Sequence, residues 1–319
     1  MADYTIGLDL GGTNLRAAAI DRSGKILDRR STDTNPEAGR EAMLGHMVNA
    51  INELRDVCGA SGLAGIGIGV PGFIRLKEGV ITNSNNLVPL ENFPIRDAIE
   101  QRLGTRVILE NDANAAALGE KWIGAGRDVD DLVLMTLGTG IGGGIISGGR
   151  VVHGYLGMAG ELGHVTVIPN GNPCGCGNQG CLEKHASATA ITAMAQMLHL
   201  GDNLTSREIY ELAEKGNEKA RSIFLIVGQM LGIALATLVN TFNFPLYLLS
   251  GGVLAAWDLF APPMVEEVKR RSFTYRASET RIEKATLGNE AGLFGAAYLP
   301  WVEPELRHTI TEQTNVDGN

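Results

Sequence analysis

Three glycine-rich turns, each placed where an apolar strand-like run stops, constrain this chain more than any other feature. Gly11-Gly12-Thr13 follows Tyr4–Leu10. Gly138–Gly144 follows Asp131–Leu137, and five of its seven residues are glycine. Ser250-Gly251-Gly252 follows Leu246–Leu249. Glycine loses more backbone freedom on folding than any other residue, so a cluster of it flanked by strands implies that a bare backbone is needed there. Successive exposed N–H groups in such a turn form a concavity that suits phosphate oxygens. The first alone leaves an ordinary hairpin turn open, and the second a surface loop; three at three strand ends point to a nucleotide more strongly than any one of them. None has the eight-residue phosphate loop ending in Lys-Ser/Thr, so the design is a different one.

The surrounding pattern gives the fold class. Leu15–Asp21 and Lys25–Ser31 read as strands joined at Ser23-Gly24. A helix over Glu37–Cys58, a strand over Leu63–Val70 ending at Pro71-Gly72, a helix over Ile95–Leu103 and a strand over Arg106–Glu110 come next. Asn111–Glu120 starts another helix, capped by Asn111 or Asp112. A second strand–glycine–strand cycle, Asp131–Leu137 and Ile145–Val152, opens the later part. Helices between Ala186 and Val239, the strand Leu246–Leu249 and a closing helix over Ala291–Pro300 follow. This order describes two α/β domains of related layout, as a length of 319 residues favours. The boundaries expected are 1–117 with 301–319 for the smaller domain, and 118–300 for the larger. The polar tail after Pro304 is expected to fray.

Composition narrows the partners. A net charge of −9 argues against non-specific binding to nucleic acid or an anionic membrane, which needs clustered Lys and Arg. Ser222–Trp257 holds no charged residue, but Gln229, Asn240 and Asn243 interrupt it and Pro245 divides it. Gly228, Gly232 and Ala236 recur every four residues and mark a face for close helix contact. A core helix followed by a core strand is the reading, not a membrane span. The N-terminus has no basic run before an apolar stretch, so a cytoplasmic protein is expected.

Two places carry charge chemistry on the early strands. Asp9, at a strand end beside the first glycine turn, suits hydrated Mg²⁺, which prefers one or two carboxylates plus water. Asp112, in Glu110-Asn111-Asp112, sits where a strand gives way to a helix. It is placed either to cap that helix or, as a general base, to accept the proton of an attacking hydroxyl.

The most specific motif comes later. Glu161-Leu162-Gly163-His164 is followed by Cys174-Gly175-Cys176 and Cys181-Leu182-Glu183. One histidine and three cysteines, His164, Cys174, Cys176 and Cys181, make a full tetrahedral set for a structural Zn²⁺. Three cysteines within eight positions, without an export signal, point to metal rather than to disulfides. Zinc would hold Glu161 and Glu183 rigid at the two ends of the loop, able to accept hydrogen bonds from sugar hydroxyls. His164 ligates through one ring nitrogen and can donate from the other. Cys58, alone in an apolar helix, reads as a small core residue. His46, His153, His185, His199 and His308 read as surface or satisfied structural residues.

The Asp9–Arg16 turn, the Glu110–Asp112 triplet, Glu161–His164 and Cys174–Glu183 together resemble the ROK family (repressors, uncharacterised reading frames and kinases), from Tyr4 to about Tyr298. Asn111–Arg127 and Gly160–Ser187 resemble its bacterial glucokinases in particular. The resemblance implies the two-domain actin-like, ribonuclease-H-like ATPase fold, with a sugar in the interdomain cleft. It makes Asp112 the base on the 6-hydroxyl. Asn111, Glu161, His164 and Glu183 would take the other hydroxyls, with the Gly72 backbone and Asn86 adding contacts. ATP and Mg²⁺ would be held by Asp9, Gly11, Gly12, Thr13, Gly138, Thr139, Gly140, Gly251 and Gly252. It implies glucose as substrate and a homodimer or homotetramer. N-acetylglucosamine, N-acetylmannosamine, mannose or fructose, and polyphosphate as donor, stay open. A repressor reading lacks its helix-turn-helix, because the first strand begins at Tyr4.

Overall fold

Residues 3–84 and 86–303 are described by the computed structural model; Asn85 and the tail expected to fray lie outside them. The opening glycines form the expected turn. β1 (Tyr4–Leu10) passes through it into β2 (Asn14–Asp21), with Leu10 opposite Leu15, and β3 (Ile26–Asp33) completes an antiparallel set. Then come α1 (Arg40–Cys58), β4 (Leu63–Val70), the hairpin β5 (Phe73–Arg75) and β6 (Val80–Asn83), α2 (Ile95–Leu103), β7 (Ile108–Asn111) and α3 (Asp112–Trp122). β4 and β7 pair in parallel, giving the order β3-β2-β1-β4-β7.

The second cycle repeats this plan. β8 (Leu132–Leu137), β9 (Ile141–Ser147) and β10 (Arg150–Val151) are antiparallel. α4 (Glu183–Ala186), α5 (Ala188–Met197), α6 (Ser206–Glu214) and α7 (Glu218–Phe242) lead to β11 (Leu246–Ser250), α8 (Trp257–Arg271) and β12 (Arg281–Lys284). β11 and β12 join in parallel, so the order β10-β9-β8-β11-β12 matches that of the first sheet.

The chain forms two compact units. The first holds the described residues up to Ile123, His153–Ala159 and those from Glu290 onward; the second holds Gly124–Val152 and Gly160–Asn289. These divisions fall elsewhere than the 117/118 and 300/301 boundaries read from sequence. The closing helix α9 (Ala291–Val302) is the physical reason. It lies on β1 and β4, where Gly7 and Gly67 present no side chain: a Cβ on either would run into the backbone of α9. The opposite face of the same strands buries Ile6, Leu8, Ile66 and Ile68 in one cluster with Leu44 and Met47 of α1. Strands covered on both faces read as continuous apolar runs.

Glycine also sets helix contacts. A Cβ on Gly119 of α3 or Gly295 of α9 would collide with the other helix's backbone, so these two helices cross at backbone distance. Gly228 and Gly232 do the same for α7 against α8, as their four-residue spacing predicts. α7 is long and apolar enough to cross a membrane, yet it buries Ile223, Phe224, Val227 and Leu231 in the second unit's core with Phe260 and Met264 of α8. It is a core helix.

Two expectations are corrected. The second glycine segment is not one long loop: only Gly138-Thr139-Gly140 turns, and Gly142–Gly144 pair with Thr136, Met135 and Leu134 inside the sheet. Bare backbone is needed there because a Cβ on Gly143 would meet Gly160 and Leu162 at 2.5 Å. The strand expected over Ile145–Val152 is broken into β9 and β10 by Gly148-Gly149, both at positive φ.

Candidate functional site

In the first unit, polar groups gather at the C-terminal ends of β1, β4 and β7. Asn111 is the N-cap of α3: its Oδ1 accepts from the N–H groups of Ala113 (2.9 Å) and Asn114 (3.2 Å). Its Nδ2 donates to the Gly72 carbonyl at 3.2 Å. The capping alternative read from sequence thus resolves to Asn111, and Asp112 opens the helix itself. A helix N-terminus carries unpaired N–H groups and partial positive charge, which favour an ionised carboxylate. Asp112 Oδ1 accepts from the Ala113 N–H at 2.9 Å.

Gly72 and Asn86 line one cavity of about 190 Å³ with Pro71, Phe73, Asn83 and Ser84. Gly72 has φ +108, and a side chain there would strike Asn83 and Ser84. Asn86 packs against Gly12, so the first glycine turn adjoins this cavity. Gly11, Gly12 and Thr13 form a closed turn: Gly11 N–H donates to Asn14 O (2.9 Å), Thr34 Oγ1 to Gly11 O (2.7 Å) and Thr34 N–H to Thr13 O (2.8 Å). Asp9 receives Arg16 Nη2 at 2.8 Å. Burial pushes the Asp9 carboxyl up, against the pull of Arg16.

The second unit holds the remaining candidates. The Gly138-Thr139-Gly140 turn is pinned by Gly138 N–H to Gly140 O (2.9 Å), Ala188 N–H to Gly138 O (2.8 Å) and Thr189 Oγ1 to Thr139 O (2.7 Å). Gly251, at φ +98, rests on the Leu137 backbone, so the second and third glycine turns are neighbours. Gly252 has open space beside it. Glu183 reaches this turn: its Oε2 accepts from the Ile141 N–H at 3.1 Å and fills the space beside Gly140.

Glu161 Oε2 lies 3.9 Å from His164 Nε2. Half-burial lifts the Glu161 carboxyl; His164 opposes the shift and the negative charge of Glu183 adds to it. The ligand atoms of His164, Cys174, Cys176 and Cys181 all lie within 4.8 Å of one another. Cys174 Sγ is 3.5 Å from His164 Nδ1, and Cys176 Sγ is 3.6 Å from Cys181 Sγ. Four ligands around zinc at its usual bond lengths stand ~3.8 Å apart, so this donor set has the spacing of a tetrahedral zinc site.

Two residues in these surroundings, Ser84 and His153, carry no sequence signal, and Glu110 stands in its triplet with no role of its own read from sequence. The Ser84 hydroxyl is buried in the cavity and has no hydrogen-bond partner among the described residues. Glu110, 1% exposed, accepts from Asn111 N–H (2.9 Å) and Asn114 Nδ2 (3.0 Å), and meets His153 Nε2 at 2.6 Å. Ser84 differs from any turn serine only in its burial. Glu110 and His153 are 43 positions apart, and nothing in their spacing pairs them.

Comparison with known proteins agrees with the motifs. The ROK family model matches residues 5–301. The glucokinase of Halalkalibacterium halodurans is 37% identical over 314 residues, covering 93% of this chain and 94% of that protein. The crystal structure of a ROK hexokinase from Thermus thermophilus, 36% identical, aligns with a TM-score of 0.87 over 95% of this chain and 99% of that one. That of a ROK family glucokinase from Streptomyces griseus, in complex with glucose and AMPPNP, is 34% identical with a TM-score of 0.73 over 93% and 98%.

Proposed function

We propose, on the premise that this chain belongs to the ROK family, that it is a hexokinase-type kinase transferring the γ-phosphoryl group of ATP to the 6-hydroxyl of glucose. The observation that carries this reading is the capped start of α3. There Asn111 ties the helix N-terminus to the Gly72 carbonyl and so holds Asp112 at the end of β7. The near-full-length likeness to glucokinases supplies the substrate class.

The chemistry asked of the protein is small. Phosphoryl transfer needs alignment and charge stabilisation more than covalent help. Asp112, at a helix N-terminus, takes the proton of the 6-hydroxyl as that oxygen bonds to the γ-phosphorus and the bond to the β-phosphate oxygen breaks, releasing ADP. Asn111, the Gly72 backbone and Asn86 take some of the sugar's hydroxyls. Glu161, His164 and Glu183 accept from or donate to its other hydroxyls. The turns at Gly11-Gly12-Thr13, Gly138-Thr139-Gly140 and Gly251-Gly252 give the nucleotide bare backbone to lie against.

Mg²⁺ would be held through Asp9 and would neutralise charge on the phosphates. Asp9 fits that role: it is a largely buried carboxylate beside a phosphate-suited turn, with Arg16 to compensate it when no cation is near. Zn²⁺ would be held by His164, Cys174, Cys176 and Cys181 and would fix the loop between Glu161 and Glu183. The test is ADP release across a hexose panel, with ATP and polyphosphate as alternative donors. Glucose with ATP should give the highest kcat/KM. Turnover of no hexose refutes the reading, and preference for an N-acetylhexosamine corrects the substrate but not the reaction.

A further inference from the structure

His153 was given no role from sequence, yet the structure sets it against a buried carboxylate next to Asn111 and Asp112. Glu110 is the last buried residue of β7, and its two carboxylate oxygens divide their work. Oε1 takes the Asn111 N–H and the Asn114 Nδ2 and so clamps the first turn of α3 from below. Oε2 takes His153 Nε2 at 2.6 Å, a charge-assisted distance. A carboxylate that is 1% exposed needs its donors, because a buried acceptor left without them is costly.

The histidine is itself held. The segment His153–Ala159 closes on its own backbone, with Ala159 N–H donating to His153 O at 3.1 Å. Gly157, at φ +80, lies within 2.9 Å of the Ile74 carbonyl, measured from where a Cβ would stand. The loop therefore presents the imidazole from a fixed base, although Tyr155 and Leu156 at its tip are exposed.

We infer that His153 is a positioning residue: by holding Glu110 it fixes the N-terminal turn of α3, and with it Asn111 and Asp112. Its kinetic consequence rests on the sugar-kinase reading above; its structural consequence does not. Misplacing a general base by a fraction of an ångström affects the transition state more than the bound sugar, so the loss falls on kcat.

Two readouts test this, with two substitutions. In His153→Leu, which removes the donor, the Ala113 and Asn114 amides should exchange with solvent ~10-fold faster than in wild type, as expected for weakened capping bonds. Its kcat should fall ~10- to 100-fold, with the glucose KM changed far less. His153→Gln keeps a donor toward Glu110 and should restore both readouts to near wild type. Wild-type exchange at Ala113 and Asn114 in His153→Leu overturns the inference, and so does a glutamine variant as damaged as the leucine one. If His153→Leu does not fold, Glu110→Gln must show the same faster exchange, and normal exchange there overturns the inference equally. If the wild-type protein phosphorylates no sugar, the proposed function falls, while the exchange result still decides the brace.

Discussion

Adding one methyl group at Gly140 should separate the contribution of Glu183 from that of the glycine turn it touches. The backbone at Gly140 is not among the positive-φ glycines, so alanine is conformationally tolerated. Its Cβ, however, would occupy the space now filled by Glu183 Oε2. Since that oxygen ends a flexible side chain, the carboxylate swings aside and gives up the Ile141 N–H. Stability should fall by ~1.5–3 kcal/mol, the worth of one hydrogen bond to a charged acceptor. Sugar binding should fall on the same scale, because the displaced carboxylate also gives up its bond to a sugar hydroxyl. That energy is ~10- to 150-fold in affinity. Gly138→Ala is the control, because its Cβ would meet nothing nearer than Gly140 O at 3.9 Å. Calorimetric titration of glucose without nucleotide isolates the sugar from any effect on ATP. Gly140→Ala should weaken glucose by at least tenfold while Gly138→Ala stays within about twofold. Equal affinity in the two variants would refute the placement of Glu183 on the sugar.

Asp112→Asn should fold and bind glucose yet lose ~10²–10⁴-fold in kcat; retention of more than about a tenth of wild-type kcat removes it as the base. Elemental analysis should find one zinc per chain, and Cys176→Ser should lower the melting temperature and weaken glucose binding by releasing Glu161 and Glu183; metal-free native protein contradicts this. Replacing glucose by 2-deoxyglucose should cost ~10-fold or more in kcat/KM by leaving a carboxylate oxygen unpaired, and equal rates discard that contact. Burial holds the Asp9 carboxyl above the unfolded value, so raising the pH through that window ionises it at a cost to stability, whereas Mg²⁺ binding needs the ionised form. Mg²⁺-dependent turnover should therefore fail, on acidification, at a higher pH than an ordinary aspartate would give. Arg16→Met should push that limb higher still, and an unmoved limb contradicts Asp9 as the cation's carboxylate.

Much of this was legible because local patterns carry it. β4 and α2 fall at the residues their apolar patterns predict, and the four-residue spacing of Gly228 and Gly232 announces the α7–α8 contact. The clustering of His164, Cys174, Cys176 and Cys181 is legible for the same reason, since they are crowded into one loop. What escaped depends on distance or on misleading chemistry. α8 contains Pro262 and Pro263, which signal a break, yet Pro263 packs onto the bare face of Gly228. The Gly142–Gly144 run looks like loop because composition cannot show that Gly160 and Leu162 press on that strand. β12 is a four-residue strand, too short for a period to register. The burial of Ser84 and the pairing of His153 with Glu110 are set by distant parts of the chain, and neither residue's neighbours in sequence record them.

The seating of α9 has a consequence for how the protein is made. The first strand of the chain and the helix bearing Asp112 both pack against residues 291–302, which leave the ribosome some 280 residues after β1. Until then the glycine-bare faces of β1, β4 and α3 have no cover, and the first unit cannot close its core. Contacts of such long sequence separation are slow to form and leave apolar surface open meanwhile. The second unit completes its sheet and its helices with residues up to 289, so it can fold first during synthesis. A chain ending at residue 289 and released from the ribosome should therefore display a protease-resistant second unit and a protease-sensitive first one.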